Sequence, residues 1–229
     1  FRIVEKLGLG AYASVFLAEP AKDHDAKPVA AKVLDLRPAG ITGPQSFACK
    51  AGAKQAKMAL KEIRMMDIAA SKDHIVQLLD VIIEGPLCYI LMEPCEKTLL
   101  QVLDMQTELT ERTLCPLWRQ MFEALSVLHQ ACVAHRDIKP DNFLCTRRTT
   151  SYSSSSSSSP ATWSSASSSG TIGGTETGGW QIKLCDFGLA REVCTEEECG
   201  LTGIFGTPPF MAPEMLAKQS YGVKVDVWS

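Results

Sequence analysis

No stretch of this chain is apolar for the ~18 residues that a membrane-spanning helix needs, and no cleavable leader is expected at its start. Basic tracts are missing as well. With Lys+Arg 23 against Asp+Glu 26, the formal net charge is −3, which argues against a nucleic-acid binder. Nine cysteines are present, but no two have the Cys-x-x-Cys spacing of a zinc site. They are scattered and odd in number, and several fall in apolar runs, such as Cys88 before Tyr89-Ile90-Leu91-Met92. Buried free thiols in a reducing compartment are therefore expected, and with them an intracellular, cytoplasmic location. His24, His74 and His129 have no ligand-like company and read as surface or packing residues. What remains is ordinary globular material. With 229 residues, 45% hydrophobic and 21% charged, the chain can bury a core as one domain or as two small lobes.

The first third reads as strands and one helix. Phe1–Lys6, Val15–Ala18 and Val29–Leu34 are short β-favouring runs around a glycine turn. From Lys54 to Ala70 the spacing becomes helical, with Met58, Ile63, Met66 and Ala70 recurring along one face. Ile75–Ile83 and Leu87–Met92, parted by Glu84-Gly85-Pro86, complete a predicted five-stranded sheet. After a connector at 93–97 come helices at Leu99–Met105 and Glu111–Gln130. The second carries the apolar stripe Leu114, Leu117, Trp118, Met121, Leu125 and Leu128. The class is α+β: a β-rich lobe over 1–92 and a mostly helical one over 98–229. Two insertions interrupt it. Pro38–Gly52 reads as a surface loop. Residues 146–179 hold 13 serines with several Gly and Thr, and are expected to be disordered. Their flanks, Asn142–Cys145 and Gln181–Cys185, look like paired strands. A hairpin needs only about 2–5 loop residues, so nearly all of the tract is surplus to the fold. It reads either as a neutral expansion or as a carrier of phosphorylation sites.

Several short strings carry chemistry. Gly8-Leu9-Gly10-Ala11-Tyr12-Ala13-Ser14-Val15 lies between two predicted strands, and is either a plain hairpin turn or a loop whose backbone approaches phosphate oxygens. Lys32 ends the apolar run Val29-Ala30-Ala31, as a snorkelling residue or as a placed cation. Glu62 faces inward with Met66 one turn on and is its natural partner, unless it is a solvated helix charge. The run His135-Arg136-Asp137-Ile138-Lys139-Pro140-Asp141-Asn142 is far more specific. It is followed, beyond the serine tract, by Asp186-Phe187-Gly188 and then by Gly206-Thr207-Pro208-Pro209-Phe210-Met211-Ala212-Pro213-Glu214.

Together these strings resemble the catalytic domain of the eukaryotic protein kinases, serine/threonine type, from the first residue to the last. The resemblance implies a bilobal kinase-like fold that transfers the γ-phosphoryl group of ATP, with Mg²⁺, to Ser or Thr hydroxyls of protein substrates. It assigns Asp137 to the acceptor hydroxyl, Lys139 to the γ-phosphate, Lys32 to the α/β-phosphates with Glu62 as its partner, and Thr207 to contact with Asp137 and Lys139. Asn142 and Asp186 become the metal ligands. Leu7, Gly8, Leu9, Gly10, Ala11 and Tyr12 would cover the nucleotide. Val15, Ala30 and Leu144 would pack the adenine before Met92, while the connector at Glu93 and Cys95 offers backbone hydrogen bonds. Ala13 stands where the family has a third glycine. His135, Phe187, Met66 and Leu78 match the family's stacked spine. Lys139, two residues after Asp137, resembles the serine/threonine rather than the tyrosine class. Arg136 implies a phosphorylated residue in the activation segment, set there by an upstream kinase: Thr202 first, Thr195 second. Glu196-Glu197-Glu198 offers either fixed charge in its place or a solvated run. Asp226-Val227-Trp228-Ser229 is similar to the start of the family's central helix, so a partial domain lacking the later helices is expected. A kinase-fold binding or scaffolding protein inactive through that truncation is the alternative. A lipid or small-molecule kinase is disfavoured by Gly-Thr-Pro…Ala-Pro-Glu.

Overall fold

A computed structural model describes residues 1–9, 13–21, 27–37, 50–70, 73–147, 179–193 and 200–229, with side chains of the first helix from Lys54 onward. The β-branched and apolar runs of the first third form five antiparallel strands: β1 (Arg2–Leu9), β2 (Ala13–Glu19), β3 (Val29–Asp35), β4 (Leu78–Glu84) and β5 (Leu87–Met92). Their spatial order is β1-β2-β3-β5-β4. Central β3 is flanked on both sides, so Lys32 sits opposite Val15 on one neighbour and Ile90 on the other. Helix α1 (Lys50–Ile68) closes one face, where Ala59, Met65, Met66 and Ala69 pack in one core with Cys88 and Ile90. Ala18, Val29, Ala31 and Leu91 form a smaller cluster.

The second lobe begins with β6 (Lys97–Thr98), α2 (Leu99–Asp104) and α3 (Glu111–Gln130). Thr98 and Thr110 cap the two helices, each in a reciprocal box with the residue three positions on, Gln101 and Thr113. Helix α3 buries Leu117, Ala124, Leu125 and Leu128. Each leucine removed from water contributes about 1.5–3 kcal/mol. Then follow β7 (Val133–Ala134), the hairpin of β8 (Phe143–Arg147) and β9 (Trp180–Leu184), β10 (Arg191–Glu192), α4 (Pro213–Leu216) and α5 (Val225–Trp228). β9 packs on α3 and is fully buried at Ile182 and Leu184. The architecture is the expected α+β one, five strands with one helix above a lobe built around α3 and a hairpin.

Several boundaries differ from the sequence reading. The run from Ile75 splits: β4 starts at Leu78, whereas Ile75 bridges Leu184 in parallel and the Val76 amide donates to the Leu184 carbonyl at 3.0 Å. The His74 carbonyl and the Val76 amide are thus committed to the second lobe. Helix α1 starts at Lys50, inside the predicted loop 38–52; residues 38–49 lie outside the described ones. The Ser-rich insertion is narrower than 146–179. Thr146 and Arg147 still belong to β8, in register with Gln181 and Trp180. Buried Trp180 receives the Arg147 guanidinium 4.0 Å from its ring centroid, which closes the hairpin beyond the predicted strand ends. Residues 148–178 lie outside the description. The α3 stripe is also rotated. Trp118 is 51% exposed, and Gln120 is buried in its stead because its amide serves β9: Oε1 accepts from Ile182 N–H at 3.0 Å, and Nε2 donates to the Trp180 carbonyl at 3.2 Å. A helix side chain can take the place of a missing strand at the free edge of β9, which periodicity does not reveal.

Candidate active site

Lys32 projects from β3 between two carboxylates. Its Nζ donates to Glu62 Oε1 of α1 at 2.5 Å and to Asp186 Oδ1, just past β9, at 2.8 Å. Strand, helix and hairpin therefore converge on one ammonium. Burial pulls the Lys32 pKa down, but the charges of Glu62 and Asp186 outweigh it and hold it above the ordinary lysine value. Glu62 is the more buried acid, and burial, helped by the charge of Asp186, leaves its pKa raised despite Lys32 beside it. For half-exposed Asp186 burial also acts upward, yet the charge and hydrogen bond of Lys32 win and its pKa is lowered. Asp186 itself adopts φ +63°, a left-handed conformation rare for a non-glycine residue. Phe187 behind it is fully buried, with its ring 5.3 Å from His135 at 69°. Met66 belongs to the same core and Leu78 packs at its margin.

The residues read as an adenine pocket share one apolar cluster. Ala30 and Met92 oppose each other across β3 and β5, and Val15, Cys95 and Leu144 pack against that core. Leu7 and Leu9 in β1 are exposed, Gly8 pairs with Val15, and Gly10, Ala11 and Tyr12 lie outside the described residues. Glu93 opens the connector. The last residue given to that connector, Lys97, is already paired in β6 with Cys145 of β8. Burial, then the nearby Glu93 charge, pushes the Cys95 thiol up to about 12, and burial pushes Cys185 up as well. Neither thiol is a poised nucleophile.

The segment 135–142 runs from β7 into β8 and folds back on itself. Lys139 Nζ donates to Asp137 Oδ2 and to Thr207 Oγ1, both at 2.9 Å, and Thr207 Oγ1 donates to Asp137 Oδ1 at 2.7 Å. Asn142 Nδ2 adds bonds to the Asp137 carbonyl at 2.7 Å and to its Oδ2 at 3.3 Å. The carboxylate of Asp137 is thus oriented by three side chains. With its NH₂ committed to Asp137, Asn142 has its amide oxygen left for a cation. The Cys185 N–H donates to the Asn142 carbonyl at 2.9 Å, which draws Asn142 and Asp186 together across the hairpin. Among the described residues no group of three or more His, Cys, Asp or Glu could hold a metal. Two oxygen donors fit a hard cation that takes its other ligands from phosphate and water.

Sequence reading missed what anchors this segment. Asp226 of α5 is 1% exposed and accepts from His135 N–H at 2.8 Å, Arg136 N–H at 2.7 Å and, through Oδ2, from His129 Nε2 at 3.0 Å. The available signal was a carboxylate between Val225 and Val227, an acid in an apolar turn. Arg136, at φ +68°, donates through Nε to Leu189 O at 2.8 Å and through Nη1 to Tyr221 Oη at 3.2 Å, and lies 4.2 Å over the Phe205 ring. Its Nη2 is buried without a partner. Arg191 is lowered, first by burial and then by Arg136 beside it. Thr202 is exposed; Thr195 and Glu196–Glu198 lie outside the described residues.

A cation shared between a helix carboxylate and a second carboxylate, set beside an acid that lysine and threonine orient, is the arrangement that phosphoryl transfer calls for. The whole chain, residues 1–229, matches the protein kinase domain family, and the protein belongs to it. Membership implies ATP and a divalent cation as cofactors. The chain is 30% identical to calcium/calmodulin-dependent protein kinase type 1 of Caenorhabditis elegans over 224 residues, which is 97% of this chain and 51% of that protein. It is 29% identical to the smooth-muscle myosin light chain kinase of Gallus gallus over 169 residues, 74% of this chain and 7% of the relative. With the serine/threonine-protein kinase CLA4 of Candida albicans it shares 28% over 232 residues, 100% of this chain and 19% of that protein. The chain thus spans about half or less of each of these relatives.

Proposed function

We propose that this domain is a protein serine/threonine kinase, using ATP and Mg²⁺ to phosphorylate Ser or Thr hydroxyls of protein substrates. The observation that carries this is the closed triangle Asp137–Thr207–Lys139, with Asn142 joined to it and, through the Cys185 amide, to the Asp186 segment. Bound ATP and its cation supply the γ-phosphoryl group and shield the charge on its oxygens. Asp137 accepts the proton of the acceptor hydroxyl as that oxygen bonds to phosphorus and the bond to the β-phosphate oxygen breaks. Lys139 balances the negative charge on the transferring oxygens, and Lys32, held by Glu62, aligns the two inner phosphates. Asn142 and Asp186 offer the oxygens for Mg²⁺. The exposed side chain of Thr202 is open to an upstream kinase, and the buried, unpaired Nη2 of Arg136 is the kind of group that an activation-segment phosphate would satisfy. The six described cysteines, Cys88, Cys95, Cys115, Cys132, Cys145 and Cys185, are free thiols, which supports an intracellular setting.

Phosphorylation of a generic Ser/Thr peptide by the full-length protein, with ATP and Mg²⁺, tests this reading. Asp137→Asn is expected to lower transfer by roughly a thousandfold or more while nucleotide still binds. Transfer that survives this change would overturn the role of Asp137. A wild-type protein that binds nucleotide but transfers nothing would favour a kinase-fold binding protein.

A further inference from the structure

Lys183 stands in the middle of β9, between the fully buried Ile182 and Leu184, and its own side chain is only 6% exposed. A lysine so placed requires an anion, and Nζ donates to Glu93 Oε1 at 2.7 Å. The same oxygen accepts the Gln77 N–H at 2.8 Å, while the Glu93 N–H donates to the Gln77 carbonyl at 3.1 Å. Glu93 is the first residue after β5, where the connector begins. Lys183 comes three residues before Asp186, on the strand that delivers it. In register, Lys183 is opposite Leu144, so the two side chains share one face of the hairpin. The ion pair therefore ties the connector to the strand beneath it, along the side where Leu144 and Cys95 meet the apolar cluster.

The geometry points to Lys183 as a positioning residue for nucleotide binding. By fixing Glu93 it sets the separation between the connector, whose backbone would receive the adenine, and the strand that carries Asp186. This rests on the kinase reading above and adds a residue to it. Without the ammonium, the Glu93 carboxylate keeps only the Gln77 amide as a partner. It gains more by hydration than by staying half-buried, and the connector loosens. Apolar contacts to the adenine and the metal end of the nucleotide then cease to be optimal together.

The test is nucleotide titration and steady-state kinetics on the full-length protein, comparing wild type, Lys183→Met, Lys183→Arg, and the exchange Glu93→Lys with Lys183→Glu. Lys183→Met is expected to raise the Kd of a non-hydrolysable ATP analogue, and KM for ATP, by roughly fivefold to tenfold, with kcat changing much less. Lys183→Arg is expected to restore most of the affinity, and the exchange part of it. Lys183→Met binding as tightly as wild type would overturn the proposal. So would loss of kcat at unchanged KM, or a Lys183→Arg variant no better than Lys183→Met when both retain wild-type thermal stability. Lys32→Met serves as the reference. If wild type binds nucleotide no better than Lys32→Met does, the kinase reading fails and takes this role with it. If wild type binds well and Lys183→Met matches it, only the role of Lys183 fails.

Discussion

Gly206→Ala probes the coupling between backbone conformation and the Asp137 site. Gly206 has φ +99°, and a Cβ built there would lie 2.4 Å from the Arg136 carbonyl oxygen. Two costs combine. Holding an alanine at such a φ costs about 1–3 kcal/mol. The contact is with backbone, not with the end of a flexible side chain, so either the 206 turn or the 136–137 peptide must move by several tenths of an ångström. Both move the same site. Gly206 precedes Thr207, whose hydroxyl donates to Asp137 Oδ1 at 2.7 Å, and Arg136 precedes Asp137. A displacement near 1 Å of a reacting group costs up to about a hundredfold in rate. We therefore expect kcat for peptide phosphorylation to fall roughly tenfold to a hundredfold. Nucleotide affinity should change by less than about twofold, because Lys32, Asp186 and the apolar cluster are untouched. Gly203→Ala is the control. It has the same φ of +99°, but its Cβ would meet Phe205 Cε2 at 2.7 Å, the far edge of a ring that can turn. It should lose comparable stability and much less kcat. Equal kcat for wild type and Gly206→Ala, or equal losses for the two variants, would refute the reasoning.

Three further outcomes are expected. Asp226→Ala leaves the buried His135 and Arg136 amides without an acceptor, at about 1–3 kcal/mol each; a denaturant midpoint matching wild type would contradict this. The lowered pKa of Asp186 gives stability that is present above its unfolded value near 3.9 and disappears as pH falls through the folded one. The stability difference between wild type and Asp186→Asn should therefore shrink between about pH 5 and 3, and a constant difference would be inconsistent with it. Replacing residues 148–178 with a four-residue turn keeps the Arg147–Trp180 closure. Shortening that connection roughly eightfold should raise stability by about 2 kcal/mol through loop entropy, with nucleotide affinity retained; loss of folding would show that the tract is needed.

The five strands of the first lobe, the β8–β9 hairpin, the main helices and the motif strings could be read from the chain because each is a local pattern. A period of two or of 3.6, a Gly-Pro turn, or a run such as His135–Asn142 needs no partner to be seen. Glu111–Gln130 is such a pattern: its apolar stripe marks the helix, and Thr110 caps it where the stripe begins. What could not be read depends on elements distant in sequence. Gln120 is buried because β9 offers it an amide and a carbonyl, and Ile75 leaves the predicted strand because β9 claims its neighbours' backbone. Asp226 shows in sequence only as an acid between two valines, and folding sets the His135 and Arg136 amides against it. Lys183 looks like one more strand charge until Glu93 closes on it. Residue order was enough to place the chain in its family, because the groups that mark a protein kinase domain come in compact runs. Which groups hold that run in place depends on burial, since a polar atom removed from water must find a partner, and only the folded chain specifies which one.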